Sequence, residues 1–236
     1  MTDHHDVQAS IYFNANWQRY QESINKNMLY HKEMFAELDK VLTGHYKNTP
    51  FSILDIGCGD SSVIYPLLKN KPLNSYTGID AAPDVLQLAV NNLVTLDCKK
   101  QFICEDMVTA LSHITSPVDI IFTSYAVHHL SAEQKTDFIQ NCKQKLTTQG
   151  MLLMIDGILE PGQTRAQWLD RLEHRFKTVL PDITQEELQK RMEHPRSNDF
   201  PESIESFKNR AIQQDWRDFQ VLLDKGIFAF MAFYNS

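Results

Sequence analysis

The chain has 236 residues, 42% of them hydrophobic and 22% charged, with a formal net charge of −7 at pH 7. That length and mix describe a soluble, globular protein built as one good-sized domain over 1–236. The acidic balance, with no long block of Lys or Arg, argues against a nucleic-acid partner. The longest apolar run, GIFAFMAFY at 226–234, is far too short to span a bilayer, so no membrane partner is expected. The N-terminal MTDHHDVQAS is polar and has none of a signal peptide's parts. Cys58, Cys98, Cys104 and Cys142 show neither CxxC nor Cys/His metal spacing, and are expected to be reduced thiols of a cytoplasmic protein.

Taken in order, residues 14–43 carry Trp17, Tyr20, Ile24, Met28, Phe35, Leu38 and Leu42 near helical spacing, which predicts a helix. Gly44 and Pro50 bracket a loop, and FSILDI (51–56) is a short buried strand. SSVIYPLLKN (61–70) holds a short helix, because Pro66 is tolerated best near a first turn. SYTGID (75–80) is a second strand and APDVLQLAVNNLVTL (82–96) an amphipathic helix with Pro83 in its opening turn. KQFICEDM (100–107) and VDIIFTSY (118–125) are the third and fourth strands. A helix over 131–146 starts on Ser131 and Gln134, which form a capping-box pattern. Gly150 then leads into MLLMID (151–156), the fifth strand.

After Asp156 the rhythm stops. Residues 158–215 offer no convincing strand but three helical stretches, around 165–180, 184–194 and 202–214. WRDFQVLLD, Lys225-Gly226 and IFAFMAFYN close the chain as a hairpin. The expected fold class is α/β, a Rossmann-like doubly wound sheet of seven strands. The sheet is mostly parallel, ends in an antiparallel hairpin, and has helices on both faces.

The first strand delivers Asp55 and then Gly57-Cys58-Gly59 to the carboxyl end of the sheet, where open α/β sheets bind ligands. Glycines there let a ligand approach the backbone closely. Asp80 ends the second strand, at the spacing where a carboxylate meets ribose hydroxyls. Asp106 ends the third, within reach of an adenine amine. A nicotinamide dinucleotide wants G-x-G-x-x-G, and this chain has Ser62 at the third glycine. Asp55 and Asp60 would also oppose a pyrophosphate. S-adenosylmethionine, with a sulfonium and an ammonium but no phosphate, suits these acids.

ILDIGCGDS, YTGID, ICEDM, DIIFTSYAVHHL and LTTQGMLLMID resemble, in order and spacing, the successive motifs of class I S-adenosylmethionine-dependent methyltransferases. The resemblance covers about 50–157, and the closing hairpin is similar to the family's last two strands. Ser61 departs from the family's third glycine. The resemblance implies S-adenosylmethionine as cofactor and S-adenosylhomocysteine as product. Asp55, Gly57, Cys58 and Gly59 would then hold the methionine part, Asp80 and Ala81 the ribose, and Asp106 and Met107 the adenine. Ser124 and Tyr125 would lie near the sulfonium. It further implies a cofactor core of 49–157 plus 216–236, an N-terminal helical lid over 1–48 and a helical substrate lid over 158–215. The acceptor would be an oxygen or nitrogen of a small molecule, methylated without a metal, by a monomer or a homodimer. A protein or peptide methyltransferase and a catalytically silent cofactor-binding protein are the alternatives.

Bland roles compete at several positions: Asp80 and Asp106 as helix caps, and Trp168, Phe176 and Met192 as packing. Neighbouring residues on a helix point about 100° apart, so His128 and His129 are not expected to face one target. In the family's phosphoethanolamine members a histidine of this region pairs with an N-terminal tyrosine. Catalytic roles for His128 and His129, with Tyr12, Tyr20 or Tyr30 as partner, therefore stand beside packing of His129. The metal site of the catechol type needs acids after the fourth strand and an Asp-Asn pair after the fifth; Ser124-Tyr125 and Asp156-Gly157 stand there instead. Arg165, Arg171, His174, Arg175 and Arg196 in the insertion suit either an anionic acceptor group or plain surface solvation.

Overall fold

The structure is a computed structural model and describes residues 19–235. Its first helix, α1, is described over 19–25, and α2 spans His31–Tyr46. The core follows as β1 (Phe51–Ile56), α3 (Tyr65–Leu68), β2 (Leu73–Asp80), α4 (Pro83–Asn92), β3 (Lys99–Cys104), α5 (Met107–His113) and β4 (Val118–Ser124). A 3-10 turn at Val127–His129 leads to α6 (Ala132–Lys145) and β5 (Leu146–Leu159). The insertion comprises α7 (Arg165–Val179), α8 (Gln185–Asn198), β6 (Glu202–Ser203) and α9 (Ile204–Gln213). β7 (Asp218–Asp224) and β8 (Phe228–Tyr234) complete the chain.

The strand order is β3-β2-β1-β4-β5-β8-β7. The first five strands are parallel, and β8 runs antiparallel to both β5 and β7. The seven expected strands are all present. An eighth, the two-residue β6, pairs with the outer end of β5 inside the stretch that shows no strand pattern. Strand alternation splits the core into two layers. On one face Ile53, Ile120, Phe122 and Leu153 pack with α2, α7 and α8; on the other Leu54, Ile121 and Leu152 pack with α5, α6 and α9. The direction of connection reverses between β1 and β4, which puts a ligand crevice at their carboxyl ends.

One expectation needs refinement. The helix over 14–43 is broken at 26–30, because Asn27 (φ 55°) and Tyr30 (φ 62°) take the left-handed conformation that no helix interior accommodates. Asn27 supports the break: its Oδ1 accepts from Lys32 N and its amide donates to Glu33. Trp17 lies outside the described residues. The expected capping box at Ser131 and Gln134 forms, and a second forms at Thr164 and Gln167. No helix among the described residues is long and apolar enough to cross a membrane.

Candidate active site

Gly57 (φ 68°) and Gly59 (φ 55°) turn the chain sharply off β1. A side chain on Gly57 would come within 2.8 Å of Ala126 Cβ, so the segment after β4 could not close over the turn. Gly57 N and Cys58 N both donate to Ile79 O, pinning the loop to the end of β2. Ser61, where the family carries glycine, still adopts φ 57°. Its hydroxyl joins the Tyr76 phenol at 2.9 Å, and that phenol donates to Asp55 Oδ2 at 2.7 Å. The serine therefore keeps the glycine's backbone shape and adds a brace.

Asp80 latches the same loop. Its Oδ2 accepts from Gly59 N at 2.8 Å and its Oδ1 from Ala82 N at 2.9 Å. Asp60 accepts from Ser62 N and from the Gln21 side chain. Burial pushes the Asp55 carboxyl up to about 7, against the Tyr76 hydrogen bond and with the Asp80 charge adding to the rise. Asp60 and Asp80 are also raised, chiefly by burial. Burial raises the Tyr20 phenol as well, and the charges of Asp60, Asp80 and Asp55 push the same way, so Tyr20 looks onto these acids.

Two cavities meet at Tyr20. The first has about 310 Å³ of empty space and is lined by Asp55, Gly57, Cys58, Asp60 and Ser124. The second has about 760 Å³, with Tyr125, His128, His129, Phe176 and Asp199 among its walls. Of the predicted cofactor residues, Asp55, Gly57, Cys58 and Ser124 therefore share the crevice, with Gly59 and Asp80 bonded beside it. Tyr125 instead faces the second pocket, where its phenol donates to Leu29 O at 2.8 Å. Ala81, Asp106 and Met107 stand at the ends of β2 and β3, outside the lined crevice.

Asp106 caps α5, accepting from Val108 N and Thr109 N. Asp106→Ala should lower unfolding stability by about 1 kcal/mol, measured in denaturant. If the carboxylate also receives the adenine amine, cofactor affinity should fall several-fold in the same variant. Unchanged affinity would leave it a cap alone.

The 3-10 turn after β4 overturns one expectation: His128 and His129 do share a target. His128 Nε2 lies 3.6 Å and His129 Nδ1 3.3 Å from Asp199 Oδ1, with His194 Nε2 3.5 Å from that same oxygen. Alternation along a helix does not apply, since the two rings meet edge-on with centroids 4.3 Å apart and Asp199 arrives from the insertion within reach of both. A strap holds it there. Phe200 N donates to His128 O at 2.7 Å, and Lys135 Nζ donates to both Leu130 O and Phe200 O. On its other side, His128 Nδ1 is hydrogen-bonded to the buried Asp156 carboxylate. Burial disfavours a charged His128, but Asp156 and Asp199 outweigh it and raise its pKa. Burial alone would raise Asp199; the His128, His129 and His194 imidazoles reverse the sign and hold it well below the usual carboxylate range.

Sequence reasoning did not name Asp199, His194 or His31. His31 is buried against the Tyr125 ring at 4.6 Å, and burial lowers its pKa to about 4. Of the candidate tyrosines, Tyr20 lines both cavities, Tyr30 lies under the Arg175 guanidinium, and Tyr12 falls outside the described residues. The insertion's arginines are spent on the fold. Arg165 donates to the Asp199, Pro195 and Arg196 carbonyls, and Arg175 to those of Asn27 and Met28. Arg171 and Arg196 pair with Glu160 and Glu173. The arginines that do line the second pocket are Arg19 and Arg191, and Arg191 is paired with Glu22 and Glu187.

A glycine turn braced by three acids at the switch point of this sheet agrees with what comparison with known proteins finds. Residues 53–150 match the model of a methyltransferase domain. Over that span the chain is similar to the S-adenosylmethionine-dependent methyltransferases. An uncharacterized methyltransferase of Oceanobacillus iheyensis is 23% identical over 168 residues, covering 71% of this chain and 76% of that protein. Among solved structures, magnesium protoporphyrin IX methyltransferase from Synechocystis PCC 6803 with bound SAH superposes with a TM-score of 0.67 at 13% identity. The match covers 98% of this chain and 99% of that one. A plantazolicin methyltransferase in complex with SAH gives 0.63 at 17% identity, covering 92% and 89%. At these identities the structural likenesses establish the methyltransferase fold, including the strand order and the closing antiparallel pair.

Proposed function

We propose that the chain binds S-adenosylmethionine in the acid-walled crevice and transfers its methyl group to an oxygen or nitrogen of a small molecule held in the adjoining pocket. The observation that carries this is the single shared wall, Tyr20, between a carboxylate-lined cavity and a mainly apolar one. Asp55, Gly57, Cys58, Gly59 and Ser124 take the methionine part, with the ammonium toward Asp55. Asp80 and Ala81 take the ribose, and Asp106 and Met107 the adenine. Tyr125 and Tyr20 flank the passage from sulfonium to acceptor.

Held there, S-adenosylmethionine would supply a methyl carbon activated by its sulfonium to the acceptor's lone pair, with the carbon–sulfur electron pair returning to sulfur. The protein's main contribution is alignment and exclusion of water, which together supply roughly 7–11 kcal/mol. Where the acceptor carries a proton, that proton leaves on the side of His128 and His129. The N-terminal segment and the insertion act as lids, since Arg19, Tyr20, Phe176 and His194 close the pocket from those two parts. Closure on both sides favours a small acceptor over a protein or peptide. The magnesium protoporphyrin IX methyltransferase of the same fold supports that choice.

Calorimetry with S-adenosylmethionine, S-adenosylhomocysteine and NAD, followed by label transfer to a panel of phenols, carboxylic acids and amines, tests this. Binding of both sulfur ligands but not NAD, with label appearing on a small molecule, is the expected result. NAD binding alone would overturn the cofactor assignment. Cofactor binding with label found only on protein would overturn the acceptor class, and a silent binder would label nothing.

The raised Asp55 predicts a pH effect. An acid with a folded pKa of about 7 holds its proton more tightly than the unfolded chain does at about 3.9. The ligand-free protein therefore loses stability from this group as pH rises from about 4 to 7. A cationic ligand needs the ionised form. Cofactor affinity should consequently rise up to tenfold per pH unit until about pH 7 and then level, with proton release on binding below that point. Calorimetry in buffers of different ionisation enthalpy reads it directly, and pH-independent binding would remove Asp55 from the ammonium site.

A further inference from the structure

We infer that His128 Nε2, His129 Nδ1 and Asp199 form a binding site for one divalent transition-metal ion in the wall of the acceptor pocket. Ligand atoms of these three buried residues lie within 4.8 Å of one another. The distances from Asp199 Oδ1 to His129 and His128, 3.3 and 3.6 Å, are too long for a charge-assisted hydrogen bond of roughly 2.7–2.9 Å. They suit the edge of a coordination shell, about 3.3–3.4 Å for tetrahedral ligands at about 2.0–2.1 Å. Asp199 Oδ1 is buried with no hydrogen-bond partner of normal geometry.

The surroundings fit as well. A metal-bound imidazole ordinarily donates its far N–H to a carboxylate, which fixes the tautomer and turns the other nitrogen to the ion. His128 has that arrangement, with Nδ1 on Asp156 and Nε2 toward Asp199. Two imidazoles and one carboxylate select a borderline ion such as Zn²⁺, Fe²⁺ or Co²⁺ and leave positions open. The same three residues line the pocket, so the open positions face the acceptor. Metal binding stands apart from the proposed methyl transfer. Its consequence rests on that reading: an acceptor oxygen bound at an open position loses its proton more readily, and His128 serves as a ligand rather than a base. The site also departs from the metal-free chemistry expected from the local motifs, because its carboxylate comes from the insertion.

The test uses the full chain after chelator treatment, titrated with Co²⁺ by visible absorption and with Zn²⁺ by calorimetry. His4 and His5 offer a rival ligand pair, so H4A/H5A is measured in parallel. One equivalent should bind in both proteins, with d–d bands in the visible for cobalt. Asp199→Asn and His129→Gln should abolish those bands, and Asp156→Asn should weaken binding by about 10–100-fold. S-adenosylhomocysteine affinity and circular dichroism serve as independent checks that each variant is folded. Absence of binding, binding lost in H4A/H5A, or binding unchanged in folded Asp199→Asn and His129→Gln would each overturn the site. Metal binding without cofactor binding would uphold it while removing the methyltransferase reading around it.

Discussion

Asp80→Ala should weaken S-adenosylmethionine binding by about 100-fold or more. A hydrogen bond to an ionised carboxylate contributes roughly 1.5–3 kcal/mol, and the ribose offers two hydroxyls. The structure adds a second cost, since the same carboxylate holds Gly59 N and Ala82 N in place. The two effects separate when the ligand is changed together with the protein. If Asp80 grips the ribose, wild type should discriminate strongly between S-adenosylhomocysteine and its 2′-deoxy analogue, and the alanine variant should barely discriminate. Calorimetry on the four combinations gives the coupling. Equal discrimination in both proteins would reduce Asp80 to a latch for the loop, and affinity within threefold of wild type would remove it from the site.

Trp168→Ala should cost about 3–5 kcal/mol of unfolding stability. The side chain is fully buried on α7, its indole N–H donates to Ile227 O at 3.1 Å, and its ring meets Phe228 edge-on. Gly157 is kept bare beneath it: a Cβ there would lie 3.1 Å from the indole. In a protein of this length the loss corresponds to a fall in Tm of roughly 6–20 °C. Denaturant and thermal melts measure it. A loss under 1 kcal/mol would mean that the insertion contributes little to the core and sits on it loosely.

The glycine turn and the acids around it were legible because their signals are local. Asp55, Gly57, Gly59 and Asp80 each stand at the end of an apolar run, and a parallel sheet gathers such ends on one edge. The helix break at 26–30 was hidden, because apolar spacing runs through it and only Asn27 hints at a left-handed turn. The second pocket was legible in part. His128 and His129 are visible, but Asp199 reaches them through a backbone bond from Phe200 to His128 and a buried Lys135, neither of which any periodicity encodes. The insertion's arginines misled for a related reason. Sequence cannot distinguish a guanidinium that binds a ligand from one that, like Arg165 or Arg175, satisfies carbonyls of its own fold.

β5 runs on to Leu159, past the body of the sheet, and its last two residues pair with β6 of the insertion. The insertion is thus sewn into the sheet by main-chain bonds and clamped again by Lys135. It cannot swing out like a flap without unpicking strand pairs. The opposite rim is fastened by side-chain contacts: Gln21 on Asp60, the Tyr125 phenol on Leu29 O, Arg175 on Asn27 O and Met28 O, and Arg191 on Glu22. Among the described residues, both cavities therefore share Tyr20 on a wall held by side-chain contacts rather than by strand pairing.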